Sequence, residues 1–297
     1  MKILFLTYGA HWEAATEPIL EVLQEKGFNA KLFQGNFAAI DGGIRIPDDT
    51  DILFLTSNAL CPPVPRQTKT FFVPHGIGSE TWESPMDNDN KVFLAGKLPW
   101  TPPAKVNNWE IVGWPKTDAL WKPKVERQEY ARELIKSLPY EETVLYVPMP
   151  GGEGIPLMRW IARYLEEKKI NMLVPWRQHA QNAESYYKRF HWKHVGIPKI
   201  LNLYYFAPYI KVIICWGLSS LSREFYVTKK PVIHLNHGGS ESNLIIHNED
   251  RRSLGPVFDS VWDNPSKYLL PDKVVKNFIE KNDGKVVERI LKEIEEL

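Results

Sequence analysis

Lys2–Thr7 reads KILFLT and Glu17–Lys26 reads EPILEVLQEK, and the fold follows from what these two stretches require of each other. The first is a short apolar run without polar alternation, the pattern of a strand buried on both faces. The second places Ile19, Leu20 and Leu23 on one helical face and stops at Gly27. The scheme then recurs. Asn29–Phe33, Asp51–Thr56 (DILFLT), Phe71–Pro74, Lys91–Leu94 and Glu110–Val112 read as further strands. Val144–Pro148 (VLYVP) restarts the pattern, followed by an amphipathic helix over Pro156–Lys168 with Leu157, Ile161 and Leu165 inward. Asn171–Pro175, Lys211–Trp216 and Pro231–Leu235 read as strands; Ala183–Phe190, Ser220–Thr228, Lys273–Lys281 and Lys285–Glu296 read as helices.

Apolar strands joined by helices predict parallel sheets covered on both faces. Between the two strand sets lies Trp121–Glu142, rich in Lys and Glu and carrying Pro123 and Pro139. The expected class is therefore α/β, with two Rossmann-like domains facing across a cleft. Residues 1–122 form the first and 123–284 the second, while the helix at 285–297 packs back on the first. In open α/β sheets ligands sit beyond the carboxyl ends of the strands, so the residues just after each strand carry the function.

Composition narrows the classes. Of 297 residues, 43% are hydrophobic and 25% charged, which excludes a disordered or fibrous chain. Lys+Arg 37 against Asp+Glu 36 gives a net charge of +1, which argues against a dedicated nucleic-acid binder. Cys61 and Cys215 are far apart and form neither a metal pattern nor a disulfide framework; they read as reduced thiols, suiting a cytoplasmic protein. No segment reaches the roughly 18–20 apolar residues of a membrane span, so any membrane contact is expected to be peripheral. The start leads directly into a helix-like segment and reads as a first strand rather than a signal peptide.

Three strand-end loops carry candidate chemistry. His75-Gly76-Ile77-Gly78 follows the strand ending at Pro74, offering a general base beside glycines that admit close backbone approach. Arg177-Gln178-His179 follows the strand ending at Pro175, and an arginine there presents a planar fork of donors to phosphate. Ser219 and Ser220 stand where Lys211–Trp216 passes into a helix, with Glu224 about one turn further on. Each loop has a plain structural alternative, as a polar turn or a helix cap. Neither GxGxxG nor GxxxxGK[ST] occurs. Asp87-Asn88-Asp89 reads as an exposed turn, and His191 and His194 as a helix surface rather than a zinc site. Trp82, Trp100, Trp109 and Trp114 serve packing or carbohydrate stacking equally well. Lys116, Lys122, Lys124, Arg127 and Arg132 read as a solvated helix face.

Taken in order, these motifs resemble the CDP-glycerol glycerophosphotransferase family, the teichoic-acid primases and polymerases, which have the two-domain GT-B fold. His75-Gly76 matches its HG[TS] element, with Ile77 for the hydroxyl residue. Gly113-Trp114-Pro115-Lys116-Thr117-Asp118-Ala119-Leu120 matches G-[YW]-P-R-x-D-x-L, and Val144–Pro148 its VLYAP strand. Arg177-Gln178-His179-Ala180 matches R-x-H-P without the proline. Trp216–Pro231 resembles the TDYSS segment, keeping Ser219, Ser220, Glu224, Lys230 and Pro231 but with Gly217 for the aspartate. Asp283-Gly284-Lys285 and Glu288-Arg289-Ile290 resemble the closing DGKASERI. The UDP-N-acetylglucosamine 2-epimerases share the G-x-P-x-D and closing features.

The resemblance implies a metal-independent transferase without a resident cofactor, acting on a nucleotide-activated donor and a hydroxyl acceptor. It makes the first domain the acceptor side and the second the donor side. His75 becomes the base, Arg177 and His179 stabilise the pyrophosphate and leaving nucleotide, and Ser219, Ser220 and Glu224 hold the donor. Gly76, Gly113 and Asp118 are expected along the cleft. Two other functions fit the same motifs, an epimerase and a non-catalytic nucleotide-binding protein, the latter prompted by Gly217 and Ala180.

Overall fold

The computed structural model describes residues 1–7, 10–34, 45–56, 63–74, 91–96, 108–148, 154–175, 192–200, 202–216, 220–235, 245–246 and 251–297. The chain divides into two compact units, Met1–Lys122 with Lys276–Leu297, and Pro123–Val275. The first crossing lies at Lys122/Pro123. The return crossing lies at Val275/Lys276, so residues 276–284, expected with the second domain, belong to the first unit.

The first unit is built on a six-stranded parallel sheet of order β2-β1-β3-β4-β5-β6. Its strands are β1 (Lys2–Thr7), β2 (Asn29–Gln34), β3 (Ile52–Leu55), β4 (Lys69–Phe72), β5 (Lys91–Leu94) and β6 (Trp109–Ile111). Both faces are buried, as the unbroken apolar runs require. On one face Ile3, Phe5, Ile52, Phe54, Phe71 and Phe93 pack on Ile19 and Leu23 of α1 (Ala10–Glu25) and on residues of the C-terminal helix. On the other, Leu4, Leu6, Leu53, Leu55, Phe72, Val92 and Leu94 form a second core. Register makes this a phenylalanine ladder. Phe5 stacks on Phe54 at 4.4 Å, and Phe54–Phe71 and Phe71–Phe93 meet edge to face at 5.3 and 5.4 Å. Such pairs add about 0.5–1.5 kcal/mol each beyond burial.

The second unit carries a six-stranded parallel sheet of order β12-β11-β10-β7-β8-β9. Here β7 is Thr143–Val147, β8 Asn171–Leu173, β9 Val195–Gly196, β10 Ile210–Trp216, β11 Val232–Leu235 and β12 Ile245–Ile246. Counted within the unit this is 6-5-4-1-2-3, the doubly wound Rossmann order, whose switch point lies between β7 and β10. Helices α2 (Val125–Lys136), α3 (Gly154–Glu167), α4 (Ser220–Phe225) and α5 (Arg251–Asp263) belong to it. Leu157, Ile161 and Leu165 of α3 and Leu254, Phe258 and Val261 of α5 close over Val144, Tyr146, Val212, Ile214 and Ile233. Helix α6 (Asp272–Phe278) carries the chain back, and α7 (Val286–Glu295) ends it. One face of α7 is buried through Val287, Ile290, Leu291 and Ile294 in the first unit's core.

Three sequence readings change. The helix expected over Ala183–Phe190 lies outside the described residues, but His194 is not on a helix surface: it is buried in the turn before β9, and its Nε2 lies 2.9 Å from the Ala162 carbonyl. Burial pushes its imidazole below the ordinary histidine value. Lys116 does not belong to a solvated helix face but is buried with its ammonium 5.3 Å from the Trp114 ring. Trp114 is core, while Trp109 is exposed at the start of edge strand β6; Trp82 and Trp100 lie outside the described residues. Among the described residues, no helix is long and apolar enough to cross a membrane.

Candidate functional site

Two motifs that the resemblance singled out hold each other. Gly113 has φ +101°, and a Cβ on it would meet the Lys281 carbonyl oxygen at 2.2 Å, so the close approach requires glycine. Five residues on, the Asp118 carboxylate accepts the backbone N–H groups of Val286 at 3.1 Å and Val287 at 2.9 Å. These are orphan donors of the first turn of α7, whose own N-cap residue, Lys285, makes no side-chain cap bond. Burial raises the Asp118 pKa, opposed by these two backbone bonds and by Lys122. Arg289 donates to the Val112 carbonyl at 3.0 Å and pairs with Asp283, and Lys122 pairs with Glu288 at 2.5 Å. Gly113 and Asp118, expected along a cleft, thus work inside the first unit as the clasp of its C-terminal segment.

Of the other expected site residues, His75, Gly76, Arg177, His179 and Ser219 lie outside the described residues, as do Asp87–Asp89 and His191. The strands leading into them are present. Pro74 is buried two residues past the end of β4, immediately before His75, and Pro175 two past β8, before Arg177 comes in sequence. Strand β10 ends at Trp216 and α4 begins at Ser220, which places the Ser219-Ser220 pair after the carboxyl end of a switch-point strand.

Glu224 is described, and its setting is unusual. Among the described residues, Lys116, Arg223 and Glu224 are the only Lys, Arg, Asp or Glu side chains that are buried. Lysine, arginine, aspartate and glutamate are seldom buried, and then in paired or hydrogen-bonded settings. Two of these three are consecutive on α4, beside Ser222, which is also fully buried. The Tyr204 phenol donates to the Glu224 backbone carbonyl at 2.6 Å. Burial, reinforced by the Glu224 charge, raises the Tyr204 pKa well above the ordinary tyrosine value, so this donor keeps its proton. Asn202 fixes the start of the Tyr204 turn by accepting its N–H at 3.1 Å. Behind α4, the Tyr226 hydroxyl lies 3.1 Å from Nε2 of His234, which is fully buried on β11. Asn202, Tyr204, Ser222, Arg223, Glu224, Tyr226 and His234 thus form a run of buried polar groups on α4 and on the segments that flank it.

Sequence reasoning missed Asn202, Tyr204, Arg223 and Tyr226. Leu203–Tyr209 is a 3-10 turn, with neither helical nor strand periodicity to draw attention to it. It also passed over the segment after β7, the other switch-point strand, where Gly151-Gly152 precede the start of α3 at Gly154. A glycine pair in sequence between the apolar run Val144–Pro148 and a helical pattern was the available signal. Among the described residues no group of three His, Cys, Asp or Glu is placed to hold a metal ion.

No protein-family model and no curated protein matches the sequence. Solved structures do match in fold. The wall teichoic acid polymerase TagF, soaked with CDPG, is similar at TM-score 0.68 and 12% identity, over 99% of this chain and 88% of that one. The UDP-GlcNAc 2-epimerase from Neisseria meningitidis, bound to UDP-GlcNAc, gives 0.57 and 12% over the whole of both chains. Anabaena HepE in complex with UDP-glucose gives 0.53 and 10%, also over both chains in full. The chain has the two-domain GT-B fold.

Proposed function

We propose that this protein transfers a glycerophosphate or glycosyl group from a nucleotide-diphosphate donor to an acceptor hydroxyl. The observation that carries the reading is the buried Glu224 on the helix after β10, at the switch point of a Rossmann-ordered sheet. The fold likeness supports it, since similar structures hold CDPG, UDP-GlcNAc and UDP-glucose.

In this mechanism the acceptor oxygen attacks the donor and its proton passes to His75. For a glycerophosphate the new bond forms at the phosphorus bearing glycerol and a nucleoside monophosphate leaves. For a glycosyl group it forms at the anomeric carbon and the diphosphate leaves. Arg177 and His179 neutralise the charge that builds on the departing phosphate. Ser219 and Ser220 hold the phosphate and Glu224 the ribose. Transfer from an activated diphosphate consists largely of positioning and charge stabilisation, which such residues supply without a metal.

The test is turnover with CDP-glycerol and a sugar-nucleotide panel, offered with soluble and lipid-linked hydroxyl acceptors. His75→Ala abolishes turnover and leaves nucleotide binding intact; loss of binding with turnover retained would refute the base role. A second reading, the epimerase, is favoured by the likeness to the Neisseria enzyme. It alone predicts conversion of UDP-GlcNAc with no acceptor present. A binding-only protein, prompted by Gly217 and Ala180, predicts tight nucleotide binding and no turnover across the panel.

A further inference from the structure

At the amino ends of β7, β10 and β11 the second unit has a recess of about 400 Å³. Glu142 immediately precedes β7, Ile210 and Lys211 begin β10, and Pro231 immediately precedes β11. This is the end of the sheet opposite to the one where doubly wound folds bind their nucleotides. The donor therefore does not account for it.

Three lysines line the recess: Lys211, Lys229 and Lys230. Lys211 pairs with Glu142 at 3.2 Å while its ammonium stands 4.1 Å from the centre of the Trp262 ring. Lys229 pairs with Asp272 at 2.5 Å. Lys230 has no ion-pair partner among the described residues, which leaves the recess one positive charge in excess. Lys229 is exposed and Lys230 half-buried. Lys229 sits in the left-handed region at φ 56°, ψ 41°, where glycine is the ordinary occupant and another residue costs about 1 kcal/mol or more. The apolar part of the lining is Pro208, Pro231, Pro265 and Leu269, and Ser266 adds a hydroxyl.

We propose that this recess binds a small phosphorylated organic molecule. Lysine ammonium groups are compact, rotatable point charges suited to a phosphate rather than to planar, bidentate recognition. The volume lies at the lower end of ordinary ligand pockets and is several times what a bare phosphate fills, so an ester body rests on the proline and leucine lining. The ligand enters with its phosphate toward Lys230 and its apolar part toward Leu269.

Calorimetric titration of the full chain with phenyl phosphate, inorganic phosphate and benzoate tests this directly. Phenyl phosphate binds at least tenfold more tightly than either of the others. Lys230→Ala weakens it at least tenfold, and Leu269→Trp, which fills the apolar part, does the same, with unfolding midpoints near wild type. Should Leu269→Trp fail to fold, Lys230→Ala alone decides. Equal affinity for benzoate overturns the phosphate assignment. Binding no tighter than that of inorganic phosphate overturns the apolar subsite. Absent binding, or binding indifferent to Lys230→Ala, overturns the site.

Discussion

Asp118 and Val287 are joined by a 2.9 Å hydrogen bond across 169 positions of sequence, and with the Val286 bond it seats the last helix on the first unit. Two backbone donors at a helix start are satisfied by one carboxylate, so its removal leaves both without their partner. Asp118→Ala lowers stability by about 1–2 kcal/mol, the range of a lost N-cap. Asp118→Asn, retaining one acceptor oxygen, costs less. Urea unfolding checks the order; an unchanged midpoint in Asp118→Ala would contradict the clasp.

Two glycines respond in opposite directions to the same methyl group. Gly113→Ala combines a positive φ with a 2.2 Å approach to a backbone oxygen and destabilises by more than about 3 kcal/mol, or prevents folding. Gly255→Ala lies inside α5, where the added Cβ meets the Tyr164 ring at 3.7 Å, ordinary contact distance. It is neutral or stabilises by up to about 1 kcal/mol. Thermal melts of the pair, relative to wild type, read the difference.

Alkaline pH addresses the second unit. The Tyr164 hydroxyl donates to Asp259 at 3.0 Å, and Lys168 pairs with the same carboxylate at 2.6 Å. Burial, then the Asp259 charge, pushes the phenol up to about 12 from 10.0. Below the unfolded value both states hold the proton and the contribution is complete. Between the two values the unfolded chain releases its proton while the folded one keeps it, so stability declines as pH rises. Tyr164→Phe removes that component of the decline. The phenolate absorbance difference between wild type and variant locates the midpoint; ionisation near 10 would contradict the geometry.

Much of this architecture was readable because β1, β3, β7 and β10 are buried on both faces and therefore appear as unbroken apolar runs. Helix α2 was not. Only Ala131 of it is buried, so Val125–Lys136 carries no apolar stripe to set its bounds, although Arg127 and Arg132 do lie on the solvated helix face that the basic stretch suggested. Helix α5, which contains Gly255-Pro256, was not read as a helix, although Leu254, Phe258 and Val261 stand at helical spacing. Strands β9 and β12 have two residues each, too few for any period. In the candidate site, Glu224 and Asp118 were both visible as residues. What separates them is the partner: Asp118 spends its carboxylate on backbone 168 and 169 positions away, a pairing that spacing along the chain does not encode.

Nucleotide binding by the second unit is the point on which the functional account turns. Calorimetry with CDP, UDP and GDP on wild type and Glu224→Gln, an isosteric change of a buried carboxylate, measures it. The account predicts that at least one nucleoside diphosphate binds and that Glu224→Gln weakens it at least tenfold with the unfolding midpoint unchanged. Failure of all three to bind the wild-type chain, or equal affinity in the variant, would contradict it.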